Sequence, residues 1–166
     1  SVRNLAAALV QGPPAIRRLS YVVLSRVEPT QADRAAWGSL NVRFVPWVED
    51  FAGTLSHALA VVLPDETGSG IKSRAVAALS VGAPVVGTRF ALEGIPIAHE
   101  SSALVSRDAR GCVRQLERLV DDGDLRARLS SEGRHVAVSF ADPDTILERW
   151  VSAYEQVYRY STSGVR

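Results

Sequence analysis

The feature that most constrains the fold is a regular alternation of short β-branched runs with segments of helical spacing. Five apolar runs predict buried strands, at residues 21–24, 42–45, 60–63, 84–87 and 103–105. Segments with apolar residues at helical intervals alternate with these runs, at residues 4–10, 31–37, 49–58 and 71–81. Such an alternation with short connections is typical of a parallel sheet that helices cover on both faces.

Beyond residue 106 the pattern predicts helices alone. Asp108 is expected to cap a helix that ends at Gly123, and Asp124 is expected to cap the next one. Asp142 and Pro143 predict the start of a last helix. Its apolar stripe is broader than one sheet face requires, so we expect part of it to cover another domain. Together the patterns predict an α/β fold: a Rossmann-like doubly wound parallel sheet with a helical C-terminal portion.

The length of 166 residues fits one compact domain. We assign residues 1–160 to this domain and residues 161–166 to a polar tail. The sequence contains no methionine and begins with the helix around Asn4 rather than with a strand. We therefore expect the first strand of the fold to be absent from this chain, which would be a piece of a larger protein.

Composition excludes several classes of protein. Nineteen basic and eighteen acidic side chains leave a net charge of +1, which gives no indication of a nucleic-acid partner. The apolar runs are too short to span a bilayer. The single cysteine, Cys112, fits a reducing compartment and predicts a cytoplasmic location. His57, His99 and His135 have no companions at metal-ligand spacing, so no metal site is expected.

A glycine-rich loop between the third strand and the following helix is the main candidate site. Gly68 and Gly70 would let the backbone approach an anion closely. Lys72, the only lysine, and Arg74 add positive charge where the N-terminus of a helix prefers acids. A bound phosphate would explain this arrangement. The alternative is an ordinary turn with two solvated cations.

Two further loops follow strands of the predicted sheet. In residues 87–95, Thr88 could hold a phosphate oxygen or a hydroxyl, and Glu93 could accept a hydrogen bond from a sugar. The alternative for this loop is a surface turn made by Gly94. Trp47 ends the second strand and could stack on a base, or it could simply pack half-buried at the strand end.

The stretch from Gly68 to Val86 resembles the donor-binding signature of group 1 glycosyltransferases. It contains a glycine-rich turn, Lys72 and Arg74, a run of small residues, and then Gly82-Ala83-Pro84-Val85-Val86. Weaker similarity extends from about Tyr21 to Tyr158. These enzymes have the GT-B fold, in which two Rossmann-like domains face each other across a cleft.

The resemblance implies that the chain is the C-terminal, nucleotide-sugar-binding half of such an enzyme. Lys72 and Arg74 match the positions that face the donor diphosphate, and Gly68, Ser69 and Gly70 match the loop beside it. Thr88 and the backbone of residues 91–94 match the loop that lines the sugar.

By the same resemblance the donor is a UDP-, GDP- or dTDP-sugar, and transfer proceeds with retention and without a metal or a further cofactor. The partner is an N-terminal acceptor-binding domain, through which any membrane contact would occur, and the isolated fragment is expected to be inactive. Fold-level analogy suggests bacterial polysaccharide biosynthesis.

One departure from the family pattern affects the nucleotide. The family's ribose-binding glutamate corresponds here to Ala77. Loss of that carboxylate is expected to weaken nucleotide binding by about 2–3 kcal/mol. A degenerate, non-catalytic glycosyltransferase-like scaffold is therefore an alternative function. Another is a different Rossmann protein, such as a sugar-nucleotide epimerase or a dehydrogenase, although an early glycine fingerprint is missing.

Overall fold

The computed structural model describes residues 2–67 and 72–163. Strands and helices alternate as the sequence predicts from the first strand to the fourth, the fifth strand follows without an intervening helix, and the remaining described elements are helices. In chain order they are α1 (Val2–Val10), α2 (Pro14–Arg17), β1 (Ser20–Leu24), α3 (Gln31–Ala36), β2 (Asn41–Val45), α4 (Phe51–Ser56), β3 (Val61–Leu63), α5 (Ser73–Ser80), β4 (Val85–Thr88), β5 (Leu104–Ser106), α6 (Ala109–Asp121), α7 (Gly123–Phe140) and α8 (Pro143–Ser163).

All strand pairs in the described residues are parallel. Hydrogen bonds join the strands into two ladders, one of β1 and β2 and one in the order β3-β4-β5. In the second ladder Leu63 lies beside Gly87, and Thr88 lies beside Ser106. The C-terminal ends of β3, β4 and β5 therefore lie together at one edge, from which the loops of the candidate site emerge.

Neighbouring residues of the strands point to opposite sides and enter two different apolar clusters. On β4, Val86 packs with α1 and α6, whereas Val85 packs with α4 and α5. On β5, Leu104 joins the first cluster and Val105 packs against the second. Because helices cover both faces, the prediction of an α/β, Rossmann-like doubly wound arrangement is confirmed.

The first cluster also includes side chains of both ladders. Tyr21 of β1 and Val42 of β2 pack in it together with Val62 of β3. The Tyr21 hydroxyl donates to the carbonyl of Ile16 over 2.7 Å, and partial burial raises the pKa of Tyr21 to about 12. This bond fixes α2, a four-residue helix that the apolar pattern did not predict.

Helix α5, which starts at the candidate site, packs closely against α7. Gly133 of α7 makes this close approach possible, because a Cβ there would lie 2.8 Å from both Leu79 Cδ2 and the carbonyl oxygen of Ser102. At the other end of α5, Gly82 has a φ of +75° and its carbonyl accepts from Ser130 Oγ over 2.6 Å. The site therefore rests on a fixed helix.

One predicted helix boundary is wrong. Asp108 caps α6 as expected, because its carboxylate accepts a hydrogen bond from the Gly111 N–H. However, α6 ends at Asp121, and Gly123 opens α7 instead of ending α6. The cap of α7 is Asp122, which accepts from the Leu125 N–H over 2.8 Å, so Asp124 lies inside the first turn.

Helix α8 begins as predicted, with the Asp142 carboxylate accepting from the Thr145 N–H over 2.9 Å. It continues to Ser163, so the predicted tail begins with helical residues, and residues 164–166 lie outside the described part. The apolar stripe of α8 is exposed in the structure. Its exposed residues are Ile146, Leu147, Trp150, Val151, Tyr154, Val157 and Tyr158. That it covers another domain stays a prediction.

Candidate functional site

The N-terminus of α5 lies in the centre of the candidate site. Residues 68–71 are outside the described part of the chain, so the predicted contributions of Gly68, Ser69 and Gly70 stay predictions. Lys72 occupies the N-cap position, and its side chain accepts no capping hydrogen bond, as expected for an ammonium group. The first turn of α5 contains no acidic residue. Within the described residues, this helix end therefore lacks the usual side-chain partners of its N–H groups.

The backbone N–H groups at the start of α5 differ in whether they have an acceptor among the described residues. The first backbone N–H groups of α5 that bond within the described residues are those of Ala75 and Val76, which both donate to the carbonyl of Lys72. The N–H groups of Ser73 and Arg74 donate to no acceptor in the described ranges, 2–67 and 72–163. Together with the positive end of the helix dipole, they favour an anion at this point.

Arg74 is held at the site by an acidic residue. Its Nη2 donates to Asp65 Oδ2 over 2.7 Å, and its side chain is 71% exposed. An ion pair this exposed contributes only about 0–1 kcal/mol, so exchange of the carboxylate for a phosphate would cost little. Sequence reasoning did not identify Asp65, although its position two residues after the end of β3 is a usable signal.

Lys72 reaches across to the next loop. Its Nζ lies 3.8 Å from the centroid of the Phe90 ring, which is a cation–π contact. The ammonium group is therefore placed between the loop after β3 and the loop after β4. The two predicted cations both lie over the C-terminal ends of the strands, because internal contacts hold each of them there.

Thr88, at the end of β4, connects the same two loops through hydrogen bonds. Its side chain is buried, its hydroxyl donates to the carbonyl oxygen of Asp65, and it accepts from the Ala91 N–H over 3.0 Å. Its hydroxyl hydrogen is therefore already used inside the protein. In this arrangement Thr88 positions the loops, and the direct ligand contact predicted for it stays a prediction. Glu93 is exposed in the turn that follows.

Trp47 lies in a groove at the ends of β1 and β2. The groove has a volume of about 420 Å³, and the Trp47 side chain is 68% exposed. The exposed ring contradicts the alternative of half-buried packing. The residues lining the groove are Leu24, Ser25, Arg26, Pro46, Trp47, Val48, Glu49 and Phe51. Most of these residues are apolar, and the groove is open to solvent.

Ala77, at the position of the family's ribose-binding glutamate, lies half-buried on α5 against the second apolar cluster. Among the described residues no group of three His, Cys, Asp or Glu side chains is arranged to hold a metal ion. No helix in this part of the chain combines the length and apolar character needed to cross a membrane.

Comparison with models of protein families gives a match for this chain. The family model described as "Glycosyl transferases group 1" matches residues 5–122, well over half of the sequence. The chain belongs to this family. The match starts before Tyr21, where the sequence resemblance was expected to begin, and it ends at the start of α7. Comparison with curated proteins gave no match.

Membership of the group 1 glycosyltransferases connects the site to sugar transfer at the level of the family. Trp47, Lys72, Arg74, Thr88 and Glu93 all lie within the matched span. The match favours a transferase over a sugar-nucleotide epimerase or a dehydrogenase, and it does not favour a non-catalytic scaffold. Sequence reasoning missed Arg26, Asp65 and Phe90. Their contacts with Trp47, Arg74 and Lys72 form only in the tertiary structure.

Proposed function

We propose that this domain is the donor-binding half of a glycosyltransferase and holds a nucleotide-sugar by its diphosphate. The observation that carries the proposal is the N-terminus of α5, where the N–H groups of Ser73 and Arg74 have no acceptor among the described residues and where Lys72 and Arg74 add two positive charges. A diphosphate would satisfy these donors and balance the two charges.

The arrangement also suggests how the chain contributes to catalysis. When the sugar leaves the nucleotide, negative charge develops on the diphosphate. In this proposal, the N–H groups of Ser73 and Arg74 and the ammonium group of Lys72 would stabilise this charge. Transfer with retention and without a metal is part of the proposal, as are a cytoplasmic location and an acceptor-binding domain that would supply the remaining catalytic groups.

The base of the nucleotide would stack on Trp47 in the groove. Stacking of a base on an aromatic side chain contributes about 1–3 kcal/mol. The guanidinium of Arg26 now lies 5.9 Å from the Trp47 centroid, and an exposed cation–π contact of this kind contributes about 0.5–1 kcal/mol. A base can therefore replace Arg26 over the ring with a net gain.

The diphosphate contact is tested by calorimetric titration of the protein with UDP, GDP, dTDP and ADP. We expect at least one nucleoside diphosphate to bind, and Lys72→Ala and Arg74→Ala each to weaken it by roughly tenfold or more, because each removes a charge-assisted hydrogen bond. Arg114→Ala is the matched control, since Arg114 is exposed on α6. A folded protein that binds none of the four at millimolar concentration would disprove the proposal.

Asp65→Asn separates phosphate binding by Arg74 from its structural role. This substitution releases Arg74 from its ion pair and removes a negative charge beside the proposed diphosphate. If Arg74 binds phosphate, affinity should rise several-fold in Asp65→Asn and fall in Arg74→Ala. If the ion pair only holds the loop in place, both substitutions should lower affinity.

A further inference from the structure

The groove beside Trp47 carries one basic and one acidic side chain on otherwise mostly apolar walls. Arg26 comes from the loop after β1, and Glu49 comes from the loop after β2. Both are exposed, and they form no ion pair with each other within the part of the chain that the structure describes. A ligand in the groove therefore meets a fork of N–H donors and a pair of carboxylate acceptors.

This pair sets a requirement on any planar ligand that stacks on Trp47. One edge of the ligand must present two acceptors to the guanidinium of Arg26, and another edge must present two N–H donors to the carboxylate of Glu49. Guanine has this pattern: O6 and N7 accept on one edge, while N1–H and the N2 amino group donate on the other.

We propose that the groove selects guanine, so that the donor is a GDP-sugar. This inference rests on the proposed function, because it names the base of the nucleotide whose diphosphate binds at α5. Arg26 leaves the face of Trp47 and donates to guanine O6 and N7, while Glu49 accepts from N1–H and N2–H. The base then occupies the ring face that Arg26 now covers.

The other common bases satisfy only part of this arrangement. Uracil and thymine offer a single N–H donor on the edge that Glu49 would read, flanked by two carbonyl oxygens that the carboxylate would repel. Adenine places its amino group where guanine has the O6 acceptor, so it faces Arg26 with a donor. Each therefore leaves a charged side chain of the groove without its hydrogen bonds.

Binding of GDP, UDP, dTDP and ADP to the protein is the first test, measured by calorimetry. GDP is expected to bind about tenfold or more tightly than the others, as one bidentate contact provides. Tighter binding of another diphosphate would overturn the guanine inference and leave the proposed function standing. Binding of none would overturn both.

Two nucleotide analogues test the two side chains separately. Inosine diphosphate lacks the N2 amino group, and 7-deazaguanosine diphosphate lacks the N7 acceptor. The native protein should prefer GDP over either analogue by roughly tenfold. Glu49→Gln, which loses the negative charge and one acceptor, should reduce the preference over inosine diphosphate alone. Arg26→Gln, which loses the positive charge and the paired donors, should reduce the preference over 7-deazaguanosine diphosphate alone.

Matched controls are available on the same part of the surface. Glu28→Gln and Arg43→Gln change an exposed carboxylate and an exposed guanidinium that do not line the groove, and neither should alter the two preferences. Circular dichroism establishes that each variant is folded. If Glu49→Gln and Arg26→Gln are folded and leave both preferences unchanged, the groove does not read guanine and the inference is wrong.

Discussion

At the scale of single residues, the candidate site depends on side chains whose contacts already hold them in place. Lys72 lies against Phe90, and Arg74 lies against Asp65. Both cations were predicted from the sequence because they follow a strand and a glycine-rich turn. Their partners were not predicted, since Asp65 and Phe90 come from different loops and meet the cations only in the folded chain.

Ala77 provides a prediction at the same scale. It lies on α5, five residues beyond Lys72, at the position that the sequence resemblance aligns with a ribose-binding glutamate. We expect Ala77→Glu to strengthen nucleotide binding by roughly tenfold or more, because the added carboxylate accepts hydrogen bonds from the ribose hydroxyls. Titration calorimetry with the diphosphate that binds most tightly measures the change.

The control for this substitution is Ala77→Gln, which adds a side chain of the same size without its charge. Because Ala77 is half-buried, the melting temperature of both variants must be measured as well. Equal affinities for the glutamate and glutamine variants, both folded, would mean that the ribose lies away from this position.

At the scale of elements, the close packing of α5 against α7 fixes the direction in which the site's helix points. The sequence predicts both helices from their apolar spacing, but it gives no sign of their closeness. The two helices can approach closely because Gly133 has no side chain. At an interior helix position without such a contact, alanine would be favoured over glycine. Helix α2 was missed for a related reason, since four residues are too few to show a period.

Gly133→Ala is expected to destabilise the protein by about 1–3 kcal/mol, although alanine is the better helix former. The added methyl group would overlap Leu79 and the backbone of Ser102. Gly123→Ala in the same helix is the control and should be neutral or slightly stabilising, because its Cβ would lie 3.5 Å from only the end of Arg126. Urea denaturation compares the two, and an equal unfolding free energy for both variants would contradict this packing argument.

At the scale of the whole molecule, the sequence predicted the α/β architecture because each strand alternates with a helix whose apolar face must be buried. The residues of β4 and β5 then divide between two clusters, which requires helices on both faces. The division of the strands into two hydrogen-bonded ladders was not predictable, since the apolar pattern does not show which strands pair. The apolar stripe of α8 is left exposed by the core of the described residues.

The most direct test of the account is a two-dimensional amide NMR titration with the nucleoside diphosphate that binds most tightly. The central claim is that the N-terminus of α5 binds the diphosphate, so the largest shift changes should occur at the amides of Ser73 and Arg74. The amides of α8 should not respond. Saturable binding that leaves Ser73 and Arg74 unchanged and shifts other parts of the chain would contradict the claim.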